Sequence, residues 1–378
     1  MNAREKFQGV LDFNTSIPVP EWEFAYWFDT LQRWYSEGLT SVDPPVQIQG
    51  HQWVGAEASG GYTNDVNKYF GFDEGVRITW PLIMFPSFKK EVYSEDEEKI
   101  IYRREDGKKV ETRKDGTTMP NFLEYPVKDR KDFNEIKRRF NPDSPERFEG
   151  SFVYLSKEKA SRKYPVQMGG GNFCGFYSVI RELIGAEESL YLFYDDPGFV
   201  IEILEFFTDY YISLYSKFLE SIEVDYILIW EDMAFKNGPL ISPDIFKEFL
   251  MPYYKKLTEE MRRRGVKHFI VDTDGNFEAL IPLFIESGVT GFYPFEVQAG
   301  MDIEKIRKQY PKLVIMGGID KMALAKTKRE IDIELAKVGR MLEKGGYLPY
   351  VDHMVPPEVS FENYKYFRYR LKRIIQGG

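Results

Sequence analysis

The chain reads Tyr226-Ile227-Leu228-Ile229-Trp230 and then turns acidic at Glu231-Asp232. A short apolar run without alternation, flanked by helical sequence, is typical of a strand buried on both faces of a parallel sheet. Four later runs repeat this pattern and also lead into acidic residues beside small or amide residues. They are 269–271 before Asp272-Thr273-Asp274-Gly275-Asn276, 291–295 before Glu296, 313–316 before Gly317-Gly318-Ile319-Asp320, and 347–351 before Asp352-His353. Because parallel strands share one carboxyl edge, the sequence predicts that these polar residues converge there.

The segments between the runs have the spacing of amphipathic helices. Ser242-Pro243 opens one such helix over 245–264, and Gly265 ends it. Further helices are predicted over 3–11, 22–38, 198–221, 277–287, 302–309 and 328–344. Strands alternating with helices predict a (β/α)8 TIM barrel whose active site lies at the carboxyl ends of the strands. A doubly wound open sheet is the alternative, but no glycine-rich dinucleotide fingerprint follows a strand; the run 169–172 is only a weak phosphate-loop signal.

The first half of the chain is less regular. Alternating residues with turn signals at Asp106-Gly107 and Asp115-Gly116 predict antiparallel strands over 99–104, 108–113 and 117–125. We therefore expect a single domain over 1–378. It would consist of an N-terminal helical extension over 1–85, an inserted β-meander at about 89–126 and a barrel core at about 150–378.

Composition excludes several classes of protein. The 378 residues carry a net charge of −9 with no basic block, which argues against a nucleic-acid-binding face. The single cysteine cannot form an intramolecular disulfide and fits a reducing compartment. No apolar signal core and no run long enough for a membrane span is present, so a cytoplasmic protein without membrane partners is expected.

Several stretches between Trp230 and Tyr366 follow one another in the order found in one superfamily. They are 231–232, 238–243, 252–253, 272–275, 300–302, 317–320 and 352–357. Through them the chain resembles the uroporphyrinogen decarboxylase superfamily, which includes corrinoid-dependent methyltransferases. The resemblance implies a TIM barrel with its cleft at the carboxyl ends of the strands. Decarboxylases of the family are often dimers, and the aromatic N-terminal helix could form such a homodimer interface.

One departure bears on the activity. The porphyrinogen decarboxylases carry paired arginines shortly after the opening tryptophan, and these bind a substrate with many carboxylates. Here the corresponding stretch, 23–29, contains no arginine, and the first one follows at Arg33. A polyanionic substrate would meet acids instead of guanidinium donors. We therefore expect a methyltransferase, with a uroporphyrinogen decarboxylase-type carboxy-lyase of porphyrin metabolism as the alternative and a non-catalytic ligand-binding barrel as a second one.

A second departure concerns metal. Thiol-directed methyltransferases of the superfamily place zinc on one histidine and two cysteines, and Asp272, Asp274 and His353 fall on those positions here. Without the cysteines a thiolate-rich zinc site is excluded. Asp272, Asp274, Glu296 and His353 are nevertheless chemically able to hold zinc or a harder cation. The alternative is that the carboxylates bind backbone or substrate and that His353 pairs with Asp352.

The resemblance implies that a partner protein delivers a methylated corrinoid and that a small acceptor, such as tetrahydrofolate, binds in the cleft. Asp272, Asp274 and Asn276 would bind the acceptor and relay its proton, with Glu231 and Asp232 opposite. His353 would act as acid or base, because crowded carboxylates shift pKa values. The remaining expected substrate-binding residues are Lys236, Asn237, Glu296, Gln298, Gly318 and Asp352.

Overall fold

A computed structural model describes residues 1–40, 53–55, 64–79, 82–114, 120–149, 151–157 and 162–377. Its centre is a sheet of seven parallel strands in which spatial order follows chain order. The strands are Arg77–Thr79, Val166–Gly169, Tyr226–Trp230, Phe269–Asp272, Gly291–Tyr293, Val314–Met316 and Tyr347–Leu348. Each pairs with the next in parallel register. The predicted parallel α/β architecture is confirmed.

Both faces of this sheet are buried, which explains the missing alternation in the strand sequences. Ile227 and Ile229 pack with the surrounding helices. Tyr226 and Leu228 point the other way and belong to a second apolar cluster inside the sheet. Neither face needs polar residues, because neither meets water.

Helices surround the sheet, and local capping explains their ends. The Ser242 hydroxyl accepts a hydrogen bond from the Ile245 N–H at 3.2 Å, and Pro243 takes the first helical position. This helix runs from Pro243 to Arg263 through a π-helical turn at Phe246–Leu250. The other α-helices are Ala3–Leu11, Phe28–Ser36, Asn64–Phe70, Arg130–Lys137, Ser151–Lys157, Tyr177–Ile184, Ala186–Asp195, Pro197–Ser221, Ile281–Glu286, Ile303–Gln309, Lys321–Leu324, Lys328–Glu343 and Phe361–Ile375. None of the described helices combines the length and low polarity needed to cross a membrane.

The first helix, Ala3–Leu11, closes the amino end of the sheet. The Arg4 side chain donates to Asp225, directly before strand Tyr226–Trp230, at 3.0 Å. Phe7 packs against Tyr226 with ring centroids 5.5 Å apart. With this end covered, the carboxyl edge is left for a functional site.

The predicted helix over 22–38 is wrong in its first third. Residues Ala25–Trp27 form a strand that pairs antiparallel with Trp53–Gly55, and the helix begins only at Phe28. The backbone of 25–27 also exchanges hydrogen bonds with Val355, accepting at Ala25 (2.9 Å) and donating from Trp27 (3.2 Å). These distant backbone partners override the local helical pattern.

The antiparallel meander is present, with four strands where three are predicted. They are Glu91–Glu95, Lys99–Arg103, Lys109–Arg113 and Asn121–Glu124, paired in chain order. The first strand escaped prediction because a bulge between Val92 and Ser94 breaks its alternation. Part of the predicted third strand, 117–119, lies outside the described residues.

Candidate functional site

The carboxyl ends of neighbouring strands stay in register beyond the strands themselves. A backbone N–H group at one strand end donates to a carbonyl at the neighbouring end. These bonds are Glu231 to Asp272 (2.9 Å), Thr273 to Tyr293 (3.1 Å), Gly318 to Pro294 (3.0 Å) and Asp352 to Ile319 (2.7 Å). The five acidic strand ends recognised in the sequence are therefore held side by side at one edge.

Asp274 and His353 form an ion-pairing contact at this edge. The His353 Nε2 lies 3.4 Å from the Asp274 Oδ2, and their side chains are 20% and 38% exposed. Burial lowers the pKa of His353, but the hydrogen bond and charge of Asp274 outweigh it, so the pKa is raised above 6.5. Phe24 covers the imidazole with ring centroids 5.2 Å apart. The pair is open enough to meet a ligand and can hold or release a proton near neutral pH.

Next to this pair, Lys321 lies between two acids. Its Nζ is 3.4 Å from Glu296 and 3.5 Å from Asp352. The Asp352 carboxylate is fully buried and accepts the backbone N–H groups of Val297 (2.8 Å) and Lys321 (2.9 Å). Burial raises the pKa of Asp352, while Lys321 opposes the shift. Asp352 therefore fixes two loops, whereas Glu296, which accepts the Gly275 N–H at 2.9 Å, stays partly exposed.

Asp232 lies on the other side of the edge with a positive φ of 42°. Its carboxylate and its backbone carbonyl each accept a hydrogen bond from Arg181 at 2.8 Å. The Arg181 guanidinium also lies 5.0 Å from the centre of the Trp230 ring. This geometry aims the half-exposed Asp232 carboxylate in a defined direction.

Glu231 does not line an open cleft. Its carboxylate is fully buried and accepts the N–H groups of Phe176 (2.7 Å) and Ser178 (2.9 Å), together with the Tyr254 hydroxyl. Burial raises the pKa of Glu231, and these donors oppose the rise. Because both carboxylate oxygens of Glu231 accept hydrogen bonds from the protein, its role here is to hold the neighbouring backbone in place. A buried carboxylate in this position is poorly placed to make the predicted catalytic contact with an acceptor.

Other predicted residues serve the loops. Asn276 donates to the Ala299 carbonyl (3.2 Å), and Gln298 donates to Asp320 (2.9 Å). Gly318 has a φ of 77°, and a Cβ there would lie 2.4 Å from Ile303, so packing demands glycine. Lys236 and Asn237 are exposed at the tip of the hairpin formed by Ala234–Phe235 and Gly238–Pro239. Asp272 ends its strand half-buried, beside Glu231.

The predicted metal set is not assembled. Among the described residues, no three His, Cys, Asp or Glu side chains converge as metal ligands. The Asp274 and His353 side chains contact each other, while Glu296 is held by the Gly275 N–H and the Lys321 ammonium. The Lys321 ammonium lies beside Glu296 and Asp352 and already provides the positive charge that a metal ion would bring. The arrangement of Asp272, Asp274, Glu296 and His353 therefore does not fit zinc.

Three functional neighbours were missed in the sequence. Lys321 directly follows the recognised run 317–320, so its position carried a signal. Phe24 was assigned to a helix, which hid its contact with His353. Arg181 lies 51 positions before Asp232, and nothing local in the sequence links the two.

Comparison with known proteins identifies the family. The family model described as uroporphyrinogen decarboxylase (URO-D) matches residues 106–374. A methyltransferase from Methanosarcina mazei superimposes with a TM-score of 0.59 at 14% identity, covering 100% of this chain and 99% of that one. A B12-independent methionine synthase from Shewanella sp. W3-18-1, in complex with selenomethionine, gives 0.40 at 14% identity over 76% and 74%. Comparison with curated proteins finds no match. Since the family model spans well over half of the sequence, the chain belongs to the uroporphyrinogen decarboxylase (URO-D) family.

Proposed function

We propose that the chain is a methyltransferase that moves a methyl group between a corrinoid carried by a partner protein and a small acceptor such as tetrahydrofolate. The Asp274–His353 contact carries the proposal, because acceptor chemistry needs a positioned group that exchanges a proton. The full-length fold similarity to a methyltransferase supports it at the level of the fold. The proposal includes a closed (β/α)8 barrel, of which the described residues supply seven strands.

Each group has a defined task in this reaction. The corrinoid would supply the methyl group and keep the electron pair of the broken carbon–cobalt bond. The nucleophilic atom of the acceptor forms the new bond to carbon and loses a proton. Neutral His353 takes that proton at Nδ1, while its Nε2–H faces Asp274, whose charge stabilises the resulting imidazolium. Asp272, Asn276 and the exposed part of Glu296 are proposed to orient the acceptor.

The charges of the site disfavour a polycarboxylate substrate. Phe24 occupies the stretch in which the decarboxylases carry arginines, and it contacts His353. Arg33 is committed elsewhere, since it donates to Glu37 (2.6 Å) and to the Pro357 carbonyl (2.7 Å). Arg181 is paired with Asp232. A molecule with several carboxylates would therefore face Asp274 and Glu296 without a free guanidinium from any of these three positions.

The test is turnover of a methylated corrinoid protein with tetrahydrofolate, followed by the corrinoid absorbance and by the methylated product. We expect His353→Gln to lower kcat by roughly 10²- to 10⁴-fold, the usual size of a general-base contribution. His268→Gln is the matched control, because His268 precedes strand Phe269–Asp272 at the opposite end of the sheet and contacts Asp12 at 3.7 Å.

Two outcomes contradict the proposal. Conversion of uroporphyrinogen to coproporphyrinogen that is lost in His353→Gln would establish the decarboxylase instead. Saturable ligand binding without turnover of either substrate would leave a non-catalytic binding protein. Sedimentation of the protein alone would test the expected homodimer, and mixing with a corrinoid protein would test the partner.

A further inference from the structure

A cavity of about 720 Å³ lies between the meander and the carboxyl ends of the strands Arg77–Thr79 and Val166–Gly169. This volume lies within the range typical of sites for small organic molecules. The residues that line the cavity come from the meander and from the chain after these two strands, whereas Asp274 and His353 follow other strands.

One wall of the cavity is apolar. It consists of Leu82, Met84, Phe85 and Phe173. Leu82, Met84 and Phe173 are buried, so this wall is packed in place by the core. Such a wall favours a ligand with an aromatic or alkyl body.

The meander side of the cavity carries two cations, Lys90 and Arg104, together with two carboxylates, Glu105 and Asp106. The Lys90 ammonium lies 4.5 Å from the centre of the Tyr102 ring, and among the described residues it has no carboxylate partner. Among the described residues, the Arg104 guanidinium makes one ion pair, with Asp106 at 3.2 Å, which leaves most of its five N–H donors available. Asp106 is shared with Lys108 at 3.5 Å. Among the described residues, Glu105 forms no ion pair with Lys90 or Arg104, so both cations can meet a ligand.

The floor is formed by a glycine turn after strand Val166–Gly169. Gly169, Gly170 and Gly171 have φ angles of 88°, 100° and 80°, a region that residues with a Cβ rarely adopt. Gly170 and Gly171 line the cavity. A Cβ on Gly170 would lie 2.8 Å from the Gln167 amide. The turn thus brings bare backbone to the cavity surface, where a ligand can approach closely.

We propose that this cavity binds an amphipathic anion, namely a molecule with an aromatic or alkyl body and one carboxylate or phosphate group. The body packs on Phe85 and Phe173, and the acidic group pairs with Arg104 and Lys90. The meander thus supplies the cationic residues of the ligand site, Lys90 and Arg104. The proposal is independent of methyl transfer, because it is tested by binding alone.

The test uses two fluorescent probes that differ in charge. Anilinonaphthalene sulfonate carries one negative group, and N-phenyl-1-naphthylamine is its neutral counterpart. We expect Arg104→Gln to weaken sulfonate binding about tenfold, the size expected for a charged hydrogen bond, and to leave the neutral probe unchanged. Met84→Trp, which fills the cavity, should weaken both probes.

Arg103→Gln is the matched control, since Arg103 precedes Arg104 on the chain but pairs with Glu91 at 2.8 Å outside the cavity lining. Displacement of the sulfonate probe by benzoate or by phenyl phosphate supports the site and identifies the preferred acidic group. Equal effects of Arg103→Gln and Arg104→Gln, no effect of Met84→Trp, or no displacement by either competitor would overturn the proposal.

Discussion

At the scale of single residues, His353 shows how two opposing effects set one proton affinity. Burial disfavours the charged imidazolium and lowers its pKa, whereas the adjacent Asp274 carboxylate favours it. The carboxylate prevails, so more of His353 is protonated near neutral pH than in an exposed histidine. In the proposed reaction only the neutral form accepts a proton.

This balance predicts a pH dependence. Activity should rise with pH through an apparent pKa above 6.5, as His353 loses its proton. Asp274→Asn removes the charge that stabilises the imidazolium, so the pKa falls and the rising limb of kcat/KM moves to lower pH. Asp209→Asn is the control, because Asp209 pairs with Lys256 at the surface. This variant should not change the pH at which kcat/KM rises. A profile that does not move in Asp274→Asn would rule out His353 as the base.

At the scale of elements, Glu231 replaces a local helix cap. The N-cap of helix Tyr177–Ile184 is Phe176, whose side chain makes no capping hydrogen bond. The free N–H groups of the first turn are bound instead by Glu231, which arrives from the end of another strand. An acidic residue after a strand is thus a structural part of the neighbouring helix.

We expect Glu231→Gln to lower the free energy of unfolding by about 1–3 kcal/mol, because its amide NH2 would face backbone N–H donors. The pKa of Glu231 is raised by burial, so its contribution is present at low pH and is lost as pH rises through the folded-state pKa. The difference in unfolding free energy between the wild type and Glu231→Gln, measured by denaturant titration, should therefore decrease as the pH rises. Glu220→Gln, at an exposed position, should change stability by less than about 0.5 kcal/mol. A deficit that widens with pH would contradict this account.

The same scale shows what sequence can predict. Helix Ala3–Leu11 and the helix opened by Ser242 were predicted within a residue or two, because their ends are set by local caps. The convergence of Asp274 and His353 was also predictable, since parallel strands share an edge. The pairing of Asp232 with Arg181 was not, because it depends on how a separate helix packs. The strand Ala25–Trp27 was missed for a related reason: its partners lie far along the chain.

At the scale of the whole molecule, an ion pair joins the meander to helix Tyr177–Ile184. The Lys108 ammonium contacts the Glu182 carboxylate, and their side chains are only 2% and 11% exposed. Asn172, next to the glycine turn, donates to the same carboxylate at 3.0 Å. Lys108 belongs to the meander and Glu182 to helix Tyr177–Ile184, so the pair sets the position of the cationic cavity wall.

Breaking this pair from one side should be costly. Lys108→Met leaves the buried Glu182 with the more distant Arg181 guanidinium, 3.8 Å away, as its cation, and we expect a loss of about 3–5 kcal/mol in unfolding free energy. Lys108→Met combined with Glu182→Leu should recover much of that loss, which a double-mutant cycle in denaturant measures. The exposed pair Lys109–Glu124 is the control, with an expected coupling below about 1 kcal/mol. Additive effects at Lys108 and Glu182 would show that the two residues do not couple.

The only cysteine of the chain lies where the glycine turn meets the next strand. The Cys174 sulfur accepts the N–H groups of Gly170 (3.0 Å) and Trp230 (3.2 Å), and burial raises the pKa of its thiol to about 12. Such a thiol is almost never a thiolate at neutral pH and cannot be reached by an alkylating reagent in the closed protein. The rate at which the Cys174 thiol is alkylated therefore reports the rate at which strands Val166–Gly169 and Tyr226–Trp230 separate. Because the sequence has no other cysteine, thiol alkylation measures this local opening without a competing signal.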